Sequence, residues 1–140
     1  RFTQSDINTF SELVGDRNPI HLNPEAAKKA GFPNTICHGM LVASLFSNVM
    51  GMQLPGPQSV YLSQHVSFRA PVLAEEEVIA TVKVEQFYRK KGLILLRTSV
   101  EKEGADGKRI LCIDGHAMGM NRVVSFDGES EWSPAKFLPK

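Results

Sequence analysis

The sequence predicts an α+β domain in which an antiparallel sheet wraps around one long central helix. Helix patterns occupy the first part of the chain and strand patterns the second, an order typical of α+β domains. The segment 39–54, GMLVASLFSNVMGMQL, carries no charge and is apolar on nearly every side, which indicates a helix surrounded by protein. Residues after 59 alternate between apolar and polar, the period of a strand.

Three helices are predicted from their caps and apolar stripes. The first begins with a capping box at Thr3 and ends at Gly15. A second, short helix, PEAAKKA, follows Asn23. The central helix spans about 38–51 and is predicted to be buried on most sides.

Four strands are predicted in the second half of the chain. The alternating runs are VYLSQHVSFR, VIATVKVE, LILLRTSVE and RILCIDGHAMGM. The turn cluster LPGPQ precedes the first run, and the turn cluster GADGK separates the third run from the fourth. In the first run, Val60, Leu62, Val66 and Phe68 are predicted to form the inward face.

Length and composition limit the classes of protein. The 140 residues suit one domain, predicted here as 1–120, followed by a tail at 121–140 of unknown role. A formal net charge of +1 predicts no nucleic-acid partner. The longest uncharged run is too short to cross a bilayer, so no membrane segment is predicted. The two cysteines lack CxxC spacing, which favours a reduced, intracellular location.

The stretch GDRNPIHLN, residues 15–23, is the strongest candidate for chemistry. Pro19 favours a turn, which can bring Asp16 and His21 together although they lie five positions apart. A carboxylate and a neutral imidazole around one water form a general acid/base set, and the Asn18 amide can hold the carboxylate or the water. The same residues also suit an Asx-type turn beside a half-exposed histidine.

Three further residues extend this candidate site. Gly39 begins the central helix, where first-turn N–H groups can bind negative charge on oxygen, unless His38 or Gly39 only caps the helix. Ser47 lies in the predicted buried helix and can bond back to that helix or orient Asp16. Gln64 interrupts the inward face of the first strand, either as a core amide or as part of a ligand pocket.

Other reaction classes lack their residue patterns. No GxSxG segment is present, which argues against a hydrolase triad. The four histidines lack HxH or HxxxH spacing, so no metal site is predicted. A glycine-rich phosphate loop is also missing, and no cofactor is predicted.

Three segments together resemble the MaoC-like, (R)-specific enoyl-CoA hydratases and 3-hydroxyacyl-thioester dehydratases. They are FSELVGDRNPIHLNPEAA, FPNTICHGMLVASLFS and PGPQSVYLSQHVSFRAPV. The resemblance covers nearly all of residues 1–120 and implies a hot-dog fold and a homodimer paired through its sheets. Two features depart from the family pattern: most of the family's first strand has no counterpart, and the residues after Asn121 have none in the family.

The resemblance also implies roles for individual residues. Asp16 and His21 match the catalytic acid/base pair, Asn18 the asparagine of that loop, and Ser47 a serine that supports the catalytic aspartate. Gly39 matches the residue whose N–H binds the thioester oxygen. The predicted substrate-binding residues are Gln64 and Met40.

The predicted activity is that of a hydro-lyase. Water adds reversibly, in syn fashion, across the trans-2-enoyl thioester of coenzyme A or acyl-carrier protein, giving the (R)-3-hydroxyacyl thioester. The alternatives are a hot-dog thioesterase and a non-catalytic module that binds acyl thioesters. The expected compartment is the mitochondrial matrix in a eukaryote and the cytoplasm in a bacterium.

Overall fold

A computed structural model describes residues 1–124, and the predicted tail from residue 125 onward lies outside the described residues. In the described part, five α-helices precede four strands. The helices are α1 (Gln4–Val14), α2 (Pro19–Leu22), α3 (Pro24–Lys29), α4 (Gly39–Ala43) and α5 (Leu45–Met52). The strands are β1 (Val60–Phe68), β2 (Val78–Tyr88), β3 (Leu93–Glu103) and β4 (Arg109–Met120).

The four strands form one antiparallel sheet in the order β1-β4-β3-β2. Within the described residues, β4 therefore lies inside the sheet, while β1 and β2 form its edges. Alternate residues of β3 are fully buried, as expected where one face of a sheet covers the core. They are Ile94, Leu96, Thr98 and Val100. The predicted α+β architecture is confirmed.

The core lies between this sheet and the helices. Phe46 and Met50, one turn apart on α5, are buried in two neighbouring clusters of apolar side chains. Phe46 belongs to the cluster that contains Val100, and Met50 to the cluster that contains Leu96. Burying a side chain of this size contributes about 1.5–3 kcal/mol, so α5 anchors the helix layer to the sheet.

The helix ends follow the predicted caps. The Thr3 hydroxyl accepts from the backbone N–H of Asp6, the Asp6 carboxylate accepts from the Thr3 N–H, and α1 ends at Gly15, where φ is 79°. At the start of α3, Asn23 Oδ1 accepts from Glu25 N–H at 2.9 Å. Within residues 1–124, no helix is long and apolar enough to cross a membrane.

The central helix differs from the prediction because it is interrupted at Ser44. The Ser44 N–H bonds to the carbonyls of both Met40 and Leu41, and its hydroxyl donates to the Leu41 carbonyl at 2.6 Å. These bonds tighten the turn and compete with the regular α-helical pattern. The segment is therefore divided into α4 and α5.

The same segment is also less buried than predicted. Ser44, Ser47 and Asn48 are exposed, whereas Phe46 and Met50 on the opposite side are buried. The prediction of a helix buried nearly all round is therefore wrong for the single chain. One face of α5 packs on the sheet, and the other is left exposed by residues 1–124.

The inward face predicted for β1 is also wrong for most of its length. Val60, Leu62 and Phe68 are 46–53% exposed, and only Val66 of that face packs against the core. The reason is that β1 is an edge strand, with a register irregularity after Tyr61, and most of it lies beyond the cover of the helices.

Candidate active site

The loop GDRNPIHLN forms a turn followed by α2, a helical turn that the sequence analysis missed. Asn18 Oδ1 accepts from the Ile20 N–H at 3.3 Å, and Pro19 occupies the first helical position. Asparagine followed by proline is a usual helix start, but four residues are too few to show a helical period. The Asn18 amide therefore caps α2, and its backbone N–H, at 3.1 Å, is the group that bonds Asp16 Oδ1.

His21, on α2, is buried and not half exposed, with 7% of its surface accessible. Its Nδ1 lies 2.8 Å from the Ile36 carbonyl. Since a carbonyl can only accept, Nδ1 carries the proton, which leaves Nε2 as the unprotonated nitrogen of the neutral ring. Nε2 is therefore available to accept a proton.

Gln4 connects the backbone around His21 to α1. Its Nε2 donates to the His21 carbonyl at 2.9 Å, and its Oε1 accepts from the buried Thr35 hydroxyl at 2.6 Å. Thr35 precedes Ile36, the residue that accepts from the His21 ring. The two backbone segments that set the position of the imidazole are thereby joined by one amide side chain.

Asp16 lies beside two histidines. Its carboxylate, 53% exposed, has Oδ2 at 3.9 Å from His38 Nε2, and its backbone carbonyl accepts from Ser11 Oγ at 2.6 Å and His38 Nε2 at 3.0 Å. The His38 ring stacks on His21 with centroids 3.8 Å apart. One side-chain nitrogen or oxygen from each of Asp16, His21 and His38 lies within 4.8 Å of the others. The turn thus brings Asp16 and His21 together as predicted.

An apolar cleft of about 430 Å³ opens beside His21. Gly39, Met40 and Phe68 line it, together with aliphatic residues such as Val72. A Cβ on Gly39 would lie 2.7 Å from Phe68 Cε1, so only glycine lets α4 begin this close to the aromatic ring. The cleft wall therefore contains an imidazole, a helix start and the charged side chain of Arg69, and the rest of its lining is mostly apolar.

Comparison with known proteins assigns this architecture to a family. The family described as "MaoC like domain" matches residues 1–105. The chain belongs to the MaoC-like domain family. The predicted resemblance is thereby confirmed.

Curated relatives match most of this MaoC-like domain. It is 40% identical over 118 residues to an (R)-specific enoyl-CoA hydratase of Aeromonas caviae, covering 84% of this chain and 85% of that protein. It is 34% identical over 129 residues to a mitochondrial 3-hydroxyacyl-[acyl-carrier-protein] dehydratase of Arabidopsis thaliana, covering 92% of this chain and 68% of that protein. The solved structure of an (R)-hydratase from A. caviae superposes with a TM-score of 0.79 at 39% identity, covering 86% and 88% of the two chains. The predicted hot-dog fold is confirmed.

The structure does not bring Ser47 to Asp16. Ser47 lies on the exposed side of α5, whereas its predicted role required a buried position. Within residues 1–124, the hydroxyl that bonds Asp16 belongs to Ser11 on α1. Ser11 and His38 were both missed, because neither their types nor their spacing indicates that they meet the loop.

Gln64 does not line the cleft of this MaoC-like domain. Its Nε2 lies 3.0 Å from Thr98 Oγ1 and 3.1 Å from the His116 carbonyl, and the Tyr61 hydroxyl donates to its Oε1. The core-amide alternative therefore describes Gln64 better than the pocket alternative. Met40, the other predicted substrate-binding residue, does line the cleft and is 60% exposed.

The cluster of Asp16, His21 and His38 also has the residue types of a metal site. Two imidazoles that bind one ion must direct their nitrogens toward it. Here the rings are stacked with an interplanar angle of 27°, and His38 Nε2 already bonds a carbonyl. The arrangement suits proton transfer better than metal binding.

The pKa of His21 is lowered from its ordinary value, chiefly by burial. The Ile36 carbonyl and, more weakly, the Asp16 carboxylate oppose this effect, while His38 adds to it. Just below pH 6.5 the folded protein therefore binds fewer protons at His21 than the unfolded chain does. The stability from neutral His21 is present above about pH 6.5 and is lost as the pH falls through the lowered pKa.

We expect the His21 ring to titrate with a midpoint below about 6.5, measured from its NMR ring resonances. Asp16→Asn removes the carboxylate that favours the imidazolium, so the midpoint should fall further. A wild-type midpoint at or above 6.5, or a rise in the variant, contradicts this account.

Proposed function

We propose that this MaoC-like domain is an (R)-specific hydro-lyase that adds water reversibly across trans-2-enoyl thioesters. The observation that carries the proposal is a buried His21, with its Nε2 unprotonated, in the wall of an apolar cleft and beside the Asp16 carboxylate. The apolar wall suits an acyl chain, and the polar pair suits one water. The relatives named hydratase and dehydratase describe the two directions of one equilibrium.

In the proposed mechanism, Asp16 and His21 hold one water against C3 of the substrate. One of them accepts a proton as the water oxygen bonds C3, and the electrons of the C2=C3 bond move toward the thioester carbonyl. A proton then reaches C2 from the same face, which gives syn addition. Such positioning removes much of the entropic barrier to a reaction between two molecules.

Gly39 is proposed to stabilise the negative charge that develops on the thioester oxygen. Its N–H occupies the first position of α4 and has no acceptor within the helix. Gly39 lines the cleft, which supports a contact between its N–H and a bound thioester. A preorganised donor at such a position can supply a large part of the reduction in the activation free energy.

Replacing Gly39 by Ala should lower kcat/KM for crotonyl-CoA by about 10- to 100-fold, because the new methyl group displaces the Phe68 ring within the cleft. The half-exposed Phe68 ring can move, so the unfolding midpoint should change little. Adding Phe68→Leu should recover part of the activity by relieving the contact. Unchanged activity in Gly39→Ala would show that the close approach is irrelevant to turnover.

One assay tests the proposed reaction. Enoyl-CoAs of graded length should lose their conjugated absorbance, and chiral analysis should find the (R)-3-hydroxyacyl product without release of free thiol. Thiol release would instead indicate the hot-dog thioesterase. Binding without turnover would indicate the non-catalytic module. Running the same assay with acyl-carrier-protein thioesters decides which of the two carriers is preferred.

We also propose a homodimer formed through β1, which in residues 1–124 is the edge strand nearest the cleft. An edge strand offers unpaired backbone groups, and Val60, Leu62 and Phe68 add exposed apolar surface to it. The exposed Met40, which lines the cleft, enlarges this surface. A dimer of this kind would cover the apolar side chains that the single chain leaves accessible.

Leu62→Lys should therefore produce a monomer in sedimentation equilibrium, because it places a charge in the proposed interface. The matched control is Ile79→Lys on β2, the opposite edge strand. Ile79 is 48% exposed and Leu62 46%, so the two substitutions are alike in burial. A monomeric wild type, or dissociation by both variants alike, contradicts the proposed interface.

We further infer an intracellular compartment and a domain limit near residue 120. Both cysteines are free and buried, as is usual in reducing compartments, and one curated relative is named as mitochondrial. β4 ends at Met120, which supports the domain limit. Cell fractionation of the tagged protein tests the compartment, and limited proteolysis tests the domain limit.

A further inference from the structure

His38 connects the two residues of the proposed acid/base pair, although it does not line the cleft. It precedes α4 but makes no side-chain capping bond there. Instead its side chain is buried, with Phe10 at 5.1 Å on one side and His21 stacked at 3.8 Å, both measured between ring centroids. Its Nε2 bonds the Asp16 backbone carbonyl at 3.0 Å. His38 therefore contacts both Asp16 and His21 without lining the cleft.

The hydrogen bonds determine which nitrogen of His38 carries the proton. The Asp16 carbonyl can only accept, so Nε2 is protonated. Nδ1 is buried and has no hydrogen-bond partner among the described residues, so nothing there stabilises a second proton. The ionisable groups in contact with His38 are His21 and the Asp16 carboxylate; Phe10 and Ser11 are uncharged. The geometry therefore assigns the Nε2–H donor, and not Nδ1, to the contact with Asp16.

We propose that His38 is a positioning residue that, through its Nε2–H donor, fixes the Asp16 backbone relative to the His21 ring. Together with Ser11, it gives the Asp16 carbonyl two donors, so the main chain of Asp16 is immobilised while its carboxylate remains accessible. The stacked ring sets the distance to His21. This role rests on the proposed function, because it concerns how that acid/base pair is aligned.

Two substitutions separate the donor from the ring. His38→Phe keeps an aromatic ring between Phe10 and His21 but removes the donor, whereas His38→Gln supplies an N–H donor without the ring. We expect kcat for crotonyl-CoA hydration to fall about 10- to 100-fold in His38→Phe, with KM within about threefold. His38→Gln should regain most of the lost kcat. Near-native turnover in His38→Phe, or equal losses in both variants, overturns the proposal.

Ser11→Ala provides a second test that leaves His38 unchanged. It removes the other donor to the Asp16 carbonyl and should also lower kcat more than KM. The matched control is Thr9→Ala, which removes an exposed α1 hydroxyl that donates to the Ser5 carbonyl. Thr9→Ala should retain full activity. Equal activity in the two variants contradicts a role for the Asp16 carbonyl anchor.

Nitrogen NMR of the wild-type histidine rings tests the proposal without any substitution. The His38 ring should carry a proton on Nε2, and the His21 ring a proton on Nδ1. A His38 ring that carries its proton on Nδ1 and none on Nε2 overturns the inference. If the wild type does not hydrate enoyl-CoA, the proposed function fails, and the His38 tautomer still decides whether the structural inference is correct.

Discussion

Asp16→Asn lowers the rate of crotonyl-CoA hydration by about 10²- to 10⁴-fold, the usual loss when one acid/base group is removed. The amide has the shape of the carboxylate, and its oxygen can still accept from the Asn18 N–H at 3.1 Å. It can neither accept nor donate a proton in the reaction at neutral pH. The side chain is half exposed, so the free energy of unfolding should change by only about 0.5 kcal/mol.

Asp106→Asn is the matched control for this substitution. Asp106 Oδ1 accepts from the Lys108 N–H at 3.1 Å, the same Asx turn that Asp16 makes with Asn18, but it lies in the turn between β3 and β4. Asp106→Asn should leave hydration unchanged. If both variants behave alike in a steady-state assay, Asp16 has only its turn-forming role and the proposed mechanism is wrong.

His21→Asn should lower hydration by a similar factor of about 10²- to 10⁴-fold. The amide nitrogen of asparagine can occupy the position of Nδ1 and keep the bond to the Ile36 carbonyl, but no group replaces Nε2. His21→Ala removes both the Nδ1 donor and Nε2. The loss of the donor leaves the Ile36 carbonyl without this hydrogen bond, which lowers the free energy of unfolding by about 1–3 kcal/mol. The two variants should therefore lose equal activity, while only His21→Ala should show a markedly lower midpoint in urea unfolding.

The double variant of Asp16→Asn and His21→Asn tests whether the two groups act on one water. If they do, the second substitution removes little activity that the first has not already removed. The activity of the double variant should then be close to that of the less active single variant. Losses that multiply, measured by the same assay, would mean that the two residues act in independent steps.

Local sequence pattern predicts that the two catalytic candidates meet, but it does not predict the residues that surround them. The turn at Pro19 is encoded within nine residues, so the meeting of Asp16 and His21 could be predicted. The contacts of Asp16 with Ser11 and of His21 with Ile36 depend on how α1, α2 and the strand-like segment at Ile36 pack together. No pattern in the chain reports that packing, because each of these contacts joins separate elements.

Short-range patterns were sufficient for the helix caps at Thr3 and Asn23, the four strands, the meeting of Asp16 with His21 and the family of this protein, since capping and the periods of helix and strand act over a few residues. Packing alone decided that Ser47 faces outward, that Gly39 meets Phe68 and that His38 contacts both Asp16 and His21. The physical reason is that a periodic sequence specifies which side of an element is apolar, whereas the partner of a polar group on that element depends on which other elements the core places beside it.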